Sequence, residues 1–167
     1  MVYYLNMRDI VLIAHNIRST HNVGAFFRTC DGFGVTKIIF TGYTPYPTLE
    51  NDTRLPHFSD KLTRQIHKTA LGAEMHVPFE YYEMPPIEAL KREGYALIGL
   101  EQDERSIHLR EYHPPAKVAL LLGNEIDGIY PEFRAQCDTI VEIPMQGHKE
   151  SFNVSVAAGI ALYHLSL

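Results

Sequence analysis

Short apolar runs, each the length of a β-strand, alternate along this chain with stretches of helical periodicity. This alternation narrows the possible folds most, because parallel strands need crossover connections that place helices over the faces of the sheet. We therefore expect an α/β fold, with a mostly parallel sheet flanked by helices on both faces, in a single domain over residues 1–167.

The predicted strands are Ile10–Ala14, Lys37–Phe40, Met75–Phe79, Ala96–Leu100, Val118–Leu122 and Thr139–Ile143. The predicted helices are roughly Asn22–Phe33, Asp60–Leu71, Ile87–Glu93, Pro131–Cys137 and Val154–Leu165. Two polar stretches that contain prolines, Tyr43–Ser59 and Gln102–Pro115, are predicted to be long loops.

Composition excludes several classes of protein. A net charge of −5 argues against a protein that coats nucleic acid through bulk charge, although a local basic patch would still bind it. The longest apolar run, Val156–Tyr163, is far shorter than the roughly 18 residues of a membrane-spanning helix. No secretory signal is visible, and Cys30 and Cys137 are too far apart for a zinc knuckle. We expect a cytoplasmic protein with reduced cysteines, without a membrane segment or a metal site.

Three polar segments follow predicted strands and carry the chemistry of this sequence. They cover residues 16–35, 120–129 and 143–159. Open parallel sheets bind their ligands at the carboxyl ends of the strands, which is where each segment begins. The second segment adds two carboxylates, Glu125 and Asp127, to a glycine-containing loop, and a plain turn explains these acids poorly.

Each segment, taken alone, also has a purely structural explanation. Asn22 is a suitable N-cap for the first helix, and Arg28 is suited to a solvated helix surface. Gly123 is an ordinary turn residue, and either Ser151 or Asn153 is a suitable cap for the last helix. The three segments therefore gain their meaning only from their order along the chain.

In that order they resemble the three sequence motifs of the SpoU (TrmH-like) family of RNA ribose 2′-O-methyltransferases, a family of the SPOUT class. The matching stretches are Asn22-Val-Gly-Ala-x-x-Arg-Thr, then Gly123-Asn-Glu-x-x-Gly, and finally Ile143-Pro-Met with Ser151-x-Asn-Val-Ser-x-Ala-Ala. The similarity extends from Asp9 to Leu165, which is nearly the whole chain.

The resemblance implies features that periodicity does not reveal. Members of this family have a deep C-terminal trefoil knot, a rare exception to the rule that chains do not thread loops. They act as homodimers, with the first and the terminal helix at the interface. Their cofactor is S-adenosylmethionine, which backbone groups of the knot loops hold. The residues that correspond to this cofactor site are Leu100, Gly123, Asn124, Ile143, Met145, Ser151 and Val154.

The resemblance also implies which residues catalyse. Arg28 corresponds to the residue proposed to activate the ribose hydroxyl, Asn22 and Glu125 order the site, and Ser151 and Asn153 help to bind and position the reactants. A guanidinium is a poor general base because its pKa lies above about 12. We expect Arg28 instead to clamp a phosphate and stabilise the developing alkoxide, while phosphate or water takes the proton.

Charge placement gives an independent indication of RNA. Between Arg54 and Thr69 the chain has four basic residues and one acidic residue. Lys61, Arg64 and Lys68 are spaced to share one face of the predicted helix, as either a solvated surface or a phosphate-binding stripe. The predicted RNA-binding residues are Arg18, Arg54, Lys61, Arg64, Lys68 and Lys149.

The sequence thus predicts an enzyme that methylates a ribose 2′-hydroxyl in tRNA or rRNA. The alternative is a relative that binds RNA or a ribosome without transferring a methyl group. The joint presence of Asn22, Arg28, Glu125, Ser151 and Asn153 favours the enzyme.

Overall fold

Seven strands, all parallel to their neighbours, form a single sheet in the computed structural model, which describes residues 8–167. In chain order the strands are β1 Asp9–His15, β2 Lys37–Thr41, β3 Phe79–Tyr82, β4 Ala96–Leu100, β5 Ile107–His108, β6 Lys117–Leu122 and β7 Thr139–Glu142. Their order across the sheet is β3-β2-β1-β6-β4-β7-β5. The predicted parallel sheet is therefore present, and β6 lies beside β1 although about 100 residues separate them in the chain.

Helices cover both faces of this sheet, as the alternation predicts. The helices are α1 Thr20–Phe33, α2 Pro56–Ala70, α3 Ile87–Arg92, α4 Pro131–Arg134 and α5 Val154–Ser166. Side chains alternate along a strand, so Leu12 packs in the cluster that contains residues of α1, α2 and α5, whereas Ile13 packs with those of α3 and α4. The central strands are apolar on both faces because both faces are covered.

Several sequence-based boundaries are wrong, among them the end of the helix predicted over Pro131–Cys137, which stops at Arg134. The strand predicted over Met75–Phe79 begins only at Phe79, because Ala73–Met75 is a 3₁₀ turn that follows Gly72 in a left-handed conformation (φ 98°). Helix α2 begins at Pro56 rather than at Asp60, since proline suits the first turn of a helix, where its missing N–H costs nothing.

The stretch Gln102–Pro115, predicted to be a loop, contains β5 and the short 3₁₀ helix Leu109–Glu111. Strand β5 has only two residues, so it is too short for a strand periodicity to be detected in the sequence. Among the described residues, no helix is long and apolar enough to cross a membrane. No group of metal-binding side chains is found among residues 8–167.

Parallel pairing brings the carboxyl ends of β1, β6, β4 and β7 to one edge of the sheet. The polar segments that follow β1, β6 and β7 in the sequence therefore meet at this edge. Helix α1 begins there with Ser19 as its N-cap and ends at Phe33. Its C-cap is Gly34, whose φ of 65° is the left-handed conformation that glycine adopts readily.

Candidate functional site

A cavity of about 470 Å³ lies at the carboxyl ends of β4, β6 and β7. Its wall includes six of the seven residues that the sequence predicts for the cofactor site: Leu100, Gly123, Asn124, Ile143, Ser151 and Val154. Met145, the seventh, is absent from the wall of this cavity. Segments from three separate regions of the chain thus enclose one space of the size that small-molecule sites have.

The loop after β6 is a tight turn that only glycine permits at its base. Asn124 and Gly128 exchange backbone hydrogen bonds of 3.1 and 2.9 Å, and the Asn124 side-chain oxygen accepts from Ile126 N at 2.7 Å. A Cβ at Gly123 would lie 2.2 Å from the Gly128 carbonyl carbon, so any larger residue would force the turn apart. The turn therefore holds its cavity-lining residues, Gly123 to Ile126, in a fixed arrangement.

Glu101 ties this turn to the strand beside it. Its Oε2 accepts a hydrogen bond from Ile129 N at 2.8 Å, and its Oε1 accepts one from Gln102 N at 2.9 Å. Gln102 Nε2 in turn donates to the Glu150 carbonyl at 2.8 Å. Sequence reasoning missed this connection between the three loops, and the only signal was a polar pair directly after a buried strand.

Glu125 connects the turn to the beginning of α1. The Arg18 backbone N donates to its carboxylate at 3.2 Å, and Asn22 Nδ2 donates to its Oε1 at 3.1 Å, across 103 positions of sequence. Ser19 Oγ already accepts from Asn22 N, so the side chain of Asn22 is free for this contact. Two residues predicted to order the site are therefore hydrogen-bonded to each other.

Acidic side chains are the only charged groups on the described wall of the cavity, although Glu150 pairs with the adjacent Lys149 at 3.1 Å. Four carboxylate residues line it, and none of its lining residues in the described part of the chain is Lys, Arg or His. Carboxylates in a partly enclosed site favour a ligand that carries positive charge. The acidic lining residues are Glu101, Glu125, Glu142 and Glu150.

Ser151 and Asn153 lie on the cavity wall just before α5. The Asn153 side-chain oxygen accepts from Ser155 N at 2.8 Å, which makes Asn153 the N-cap of that helix. Asn153 therefore has a structural role as a helix cap, and both Asn153 and Ser151 also line the cavity. Each offers polar atoms next to the free N–H groups of the first helical turn, which favour a negatively charged group such as a carboxylate.

Arg28 lies on α1, exposed, and is not among the residues that line the cavity. It follows Asn22 by six residues, a rise of about 9 Å along a helix. The Asn22–Glu125 contact thus places the helix that carries Arg28 beside the loop after β6.

The predicted RNA-binding residues differ in whether a carboxylate already pairs with them. Lys61, Arg64 and Lys68 are exposed on α2, and within residues 8–167 none of them has a carboxylate within 4.0 Å. Arg54 is different, because its guanidinium pairs with Asp52 at 2.5 Å. This pairing argues against Arg54 as a phosphate ligand. Of the remaining two, Lys149 pairs with its neighbour Glu150 at 3.1 Å, and Arg18 is exposed.

Comparison with known proteins identifies a family, a relative and two solved structures. The model of the SpoU rRNA Methylase family matches residues 9–163. A tRNA (guanosine(18)-2′-O)-methyltransferase from Aquifex aeolicus is 28% identical over 156 residues, which are 93% of this chain and 68% of that protein. The crystal structure of an A. aeolicus TrmH/SpoU tRNA-modifying enzyme superimposes with a TM-score of 0.79 at 27% identity, over 96% of this chain and 75% of that one.

A further solved structure is that of an AdoMet-bound rRNA methyltransferase from Sinorhizobium meliloti, with a TM-score of 0.77 and 24% identity. The superposition includes 95% of this chain but only 56% of that protein. This chain therefore spans little more than half of the length of that relative. At this identity the likeness concerns the fold alone.

Proposed function

The chain belongs to the SpoU rRNA Methylase family, and on this premise we propose that it transfers a methyl group from S-adenosylmethionine to a ribose 2′-hydroxyl of RNA. The observation that carries the proposal is the convergence of the three motif segments at one sheet edge. There, Glu125 bonds to the start of α1 and lines the cavity that the other two segments enclose.

The cavity fits the cofactor in size and in charge. S-adenosylmethionine supplies a methyl group on a positively charged sulfur, from which the methyl leaves readily. The cavity of about 470 Å³ has four carboxylates and no basic side chain on its described wall, which suits a sulfonium and an ammonium group. Leu100, Gly123, Asn124, Ile143, Ser151 and Val154 would hold the cofactor, whereas Met145, two residues after Ile143, is not on this wall.

The other residues of the site position the loop after β6, bind the reactants and stabilise the developing charge. Glu125 and Asn22 hold the loop after β6 against α1. Ser151 and Asn153 offer a hydroxyl and an amide to position the reactants. Arg28 binds an RNA phosphate with its planar fork and stabilises the negative charge that develops on the 2′-oxygen, while phosphate or water accepts the proton.

We also propose that the protein is a homodimer through α5 and α1. Helix α5 exposes Val156, Ile160 and Tyr163, whose spacings of four and three residues place them on one side of the helix. The Tyr163 ring packs at 5.9 Å from the ring of Phe33 at the end of α1, so the apolar surface continues onto that helix. A second copy of this surface is the partner that would cover it.

The C-terminal knot belongs to the same proposal. Strand β7 lies between β4 and β5, and Gln102 after β4 is bonded to the Glu150 carbonyl, so the segment that leads to α5 passes next to the β4–β5 connection. Pulling the two termini apart in a single-molecule experiment tests it. A knotted chain extends to less than its full contour length because the knot tightens, whereas full extension contradicts the knot.

One experiment tests the activity and identifies the substrate. Purified protein is incubated with methyl-labelled S-adenosylmethionine and total RNA, and the modified nucleotide is mapped. We expect label on a ribose 2′-oxygen in tRNA or rRNA. Binding of cofactor and RNA without transfer would instead identify a non-catalytic relative.

A further inference from the structure

A second cavity, of about 520 Å³, lies between the loop after β2 and helix α2. We call it the aromatic pocket, and define it by Arg18, Tyr43, Tyr46, Phe58 and Gln65, all of which line it. The predicted functions assign no role to this pocket as a whole. Its lining combines flat rings with groups that donate and accept hydrogen bonds.

The loop that carries Tyr43 is held rigidly. Thr44 is buried, and its Oγ1 accepts from Ile17 N at 2.9 Å and donates to the Thr41 carbonyl at 2.8 Å. Asn16 Oδ1 accepts from Tyr43 N at 3.1 Å. The pocket is therefore preformed, so a ligand would not have to order this loop when it binds.

A stack of three flat groups forms another wall. The Arg54 guanidinium lies 3.6 Å from the centre of the Tyr46 ring, and Tyr46 stacks on Tyr81 with 4.2 Å between ring centres. Arg54 is held there by Asp52 and by hydrogen bonds of 3.1 Å to the carbonyls of Tyr46 and Pro47. Its hydrogen bond to Asp52 holds the pKa of that carboxyl well below its usual range, so this ion pair persists at neutral pH. Arg54 thus builds the pocket.

Two aromatic rings at the pocket are about half exposed. The exposed fraction is 51% for Tyr43 and 49% for Phe58. Within the described residues, the side-chain amide of Gln65 has no hydrogen-bond partner in the protein, although it lies half-buried on the pocket wall. Open rings beside an unused amide and the exposed Arg18 are the groups that stack on a nucleobase and bond to its edge.

The pocket adjoins the proposed cofactor cavity on one side and the basic stripe on the other. Asn124, which lines the cofactor cavity, donates a hydrogen bond to the Tyr43 hydroxyl. Arg18 lines the aromatic pocket, and its backbone N bonds to Glu125. Phe58 and Gln65 belong to α2, the helix whose exposed Lys61, Arg64 and Lys68 carry no paired acid in the described structure. A strand of RNA along α2 would therefore pass the pocket before it reaches the cofactor.

We propose that the aromatic pocket receives an unpaired nucleobase of the RNA strand that is methylated, next to the target nucleotide. This inference rests on the proposed function, which identifies the ligand as RNA. We expect the enzyme to prefer single-stranded over duplex RNA, because removing a base from a duplex costs the free energy of unstacking and unpairing.

Binding of two RNA probes to purified full-length protein tests the pocket: short single-stranded poly(rA), and a poly(rA)·poly(rU) duplex of equal length, both followed by fluorescence anisotropy. The wild type should bind the single strand more tightly than the duplex. Phe58→Ala should weaken single-strand binding about tenfold, the order of magnitude of one lost base–aromatic stack, and leave duplex binding unchanged. Phe58→Leu keeps an apolar side chain without a ring and should behave like Phe58→Ala, whereas Phe58→Tyr should retain binding.

Tyr82→Ala is the matched control, since Tyr82 is an exposed aromatic residue on β3 outside the pocket. It should bind both probes as the wild type does. Equal binding of the two probes by the wild type would overturn the proposal, as would single-strand binding that is unaffected by Phe58→Ala. Melting temperatures of all variants identify any that misfold, and Gln65→Ala then gives a second test at a half-buried position.

The methylation assay separates this proposal from the one on which it rests. Methyl transfer by the wild type, together with unaltered single-strand binding by Phe58→Ala, would reject the pocket and keep the enzyme. Loss of single-strand binding in Phe58→Ala, together with a wild type that transfers no methyl group, would keep the pocket as an RNA site and reject the enzyme.

Discussion

The side chain of Asn22 could either cap α1 or bind Glu125, and the presence of Ser19 three positions earlier leaves it free to bind Glu125. Its sequence position suits a helix N-cap, but Ser19 takes that role, with its Oγ accepting from Asn22 N at 3.2 Å. The Asn22 amide is then available to Glu125 Oε1 at 3.1 Å. Asn153 shows the opposite outcome, because it does cap α5 while it also faces the cofactor cavity.

Replacing Asn22 with Asp tests the first of these contacts. The nearly isosteric carboxylate would repel Glu125 and push the loop after β6 from α1. We expect kcat/KM for methyl transfer to fall by about tenfold or more, which is the scale of a hydrogen bond to a charged group. Asn22→Ala removes the bond without adding charge and should cost less. An Asn22→Asp variant of undiminished activity would contradict the role given to this contact.

Arg28 is the residue whose role depends most on its exact chemistry. If its planar fork binds a phosphate and the developing alkoxide, Arg28→Lys keeps the charge but loses the two-point geometry. We expect kcat to fall in Arg28→Lys by about tenfold or more, while the dissociation constant of S-adenosylmethionine, measured by calorimetry, stays unchanged. Near-normal turnover in Arg28→Lys would exclude any role that needs the fork.

Helix α1 depends at one point on the absence of a side chain. A Cβ at Gly24 would lie 2.1 Å from Thr69 Oγ1 and 2.3 Å from the Ile66 carbonyl, so α1 and α2 pack in direct backbone contact there. We expect Gly24→Ala to lower the free energy of unfolding by about 1–3 kcal/mol, as overpacking does.

Gly32 provides the control in the same helix, since a Cβ there meets nothing within 4 Å. Gly32→Ala should raise stability by about 0.5–1 kcal/mol, because alanine is the better helix former. Urea denaturation of both variants measures the difference. Equal effects in the two variants would mean that the α1–α2 contact is less tight than the structure shows.

Helix α2 carries the charge that the sequence predicts for RNA. Its residues Lys61, Arg64 and Lys68 are exposed along one face, so Lys61→Glu and Arg64→Glu should weaken RNA binding. The slope of log affinity against log salt concentration should decrease by about one for each lost phosphate contact. Arg92→Glu, an exposed change on α3 at the opposite face of the sheet, is the control. Unchanged binding by the two α2 variants would make this stripe a solvated surface only.

At the scale of the whole molecule, the proposed dimer leaves a measurable signature. The double substitution Ile160→Lys and Tyr163→Lys would place two charges in the apolar face of α5. We expect sedimentation equilibrium to give a monomer mass for this variant and a dimer mass for the wild type. Met75→Lys changes an apolar residue that is 80% exposed elsewhere and should leave the dimer intact. A wild type that sediments as a monomer would contradict the dimer directly.

Local patterns in the sequence determined the strands and helices whose signals lie within a few neighbouring residues. The apolar runs at β1, β2, β4, β6 and β7 and the periodicity of α1, α3 and α5 were sufficient to predict these elements to within about two residues. The order of the three motifs was sufficient to predict the family, which the family match over residues 9–163 confirms.

Only the tertiary structure decided which groups meet. Nothing local shows that β6 lies beside β1, so the bond between Glu125 and Asn22 across 103 positions follows only from the strand order. The bonds of Glu101 across the three loops and the stack of Arg54 on Tyr46 likewise depend on long-range packing. The physical reason is that hydrophobic periodicity acts over one or two turns, whereas a site at the edge of a parallel sheet is assembled from segments that the sheet order brings together.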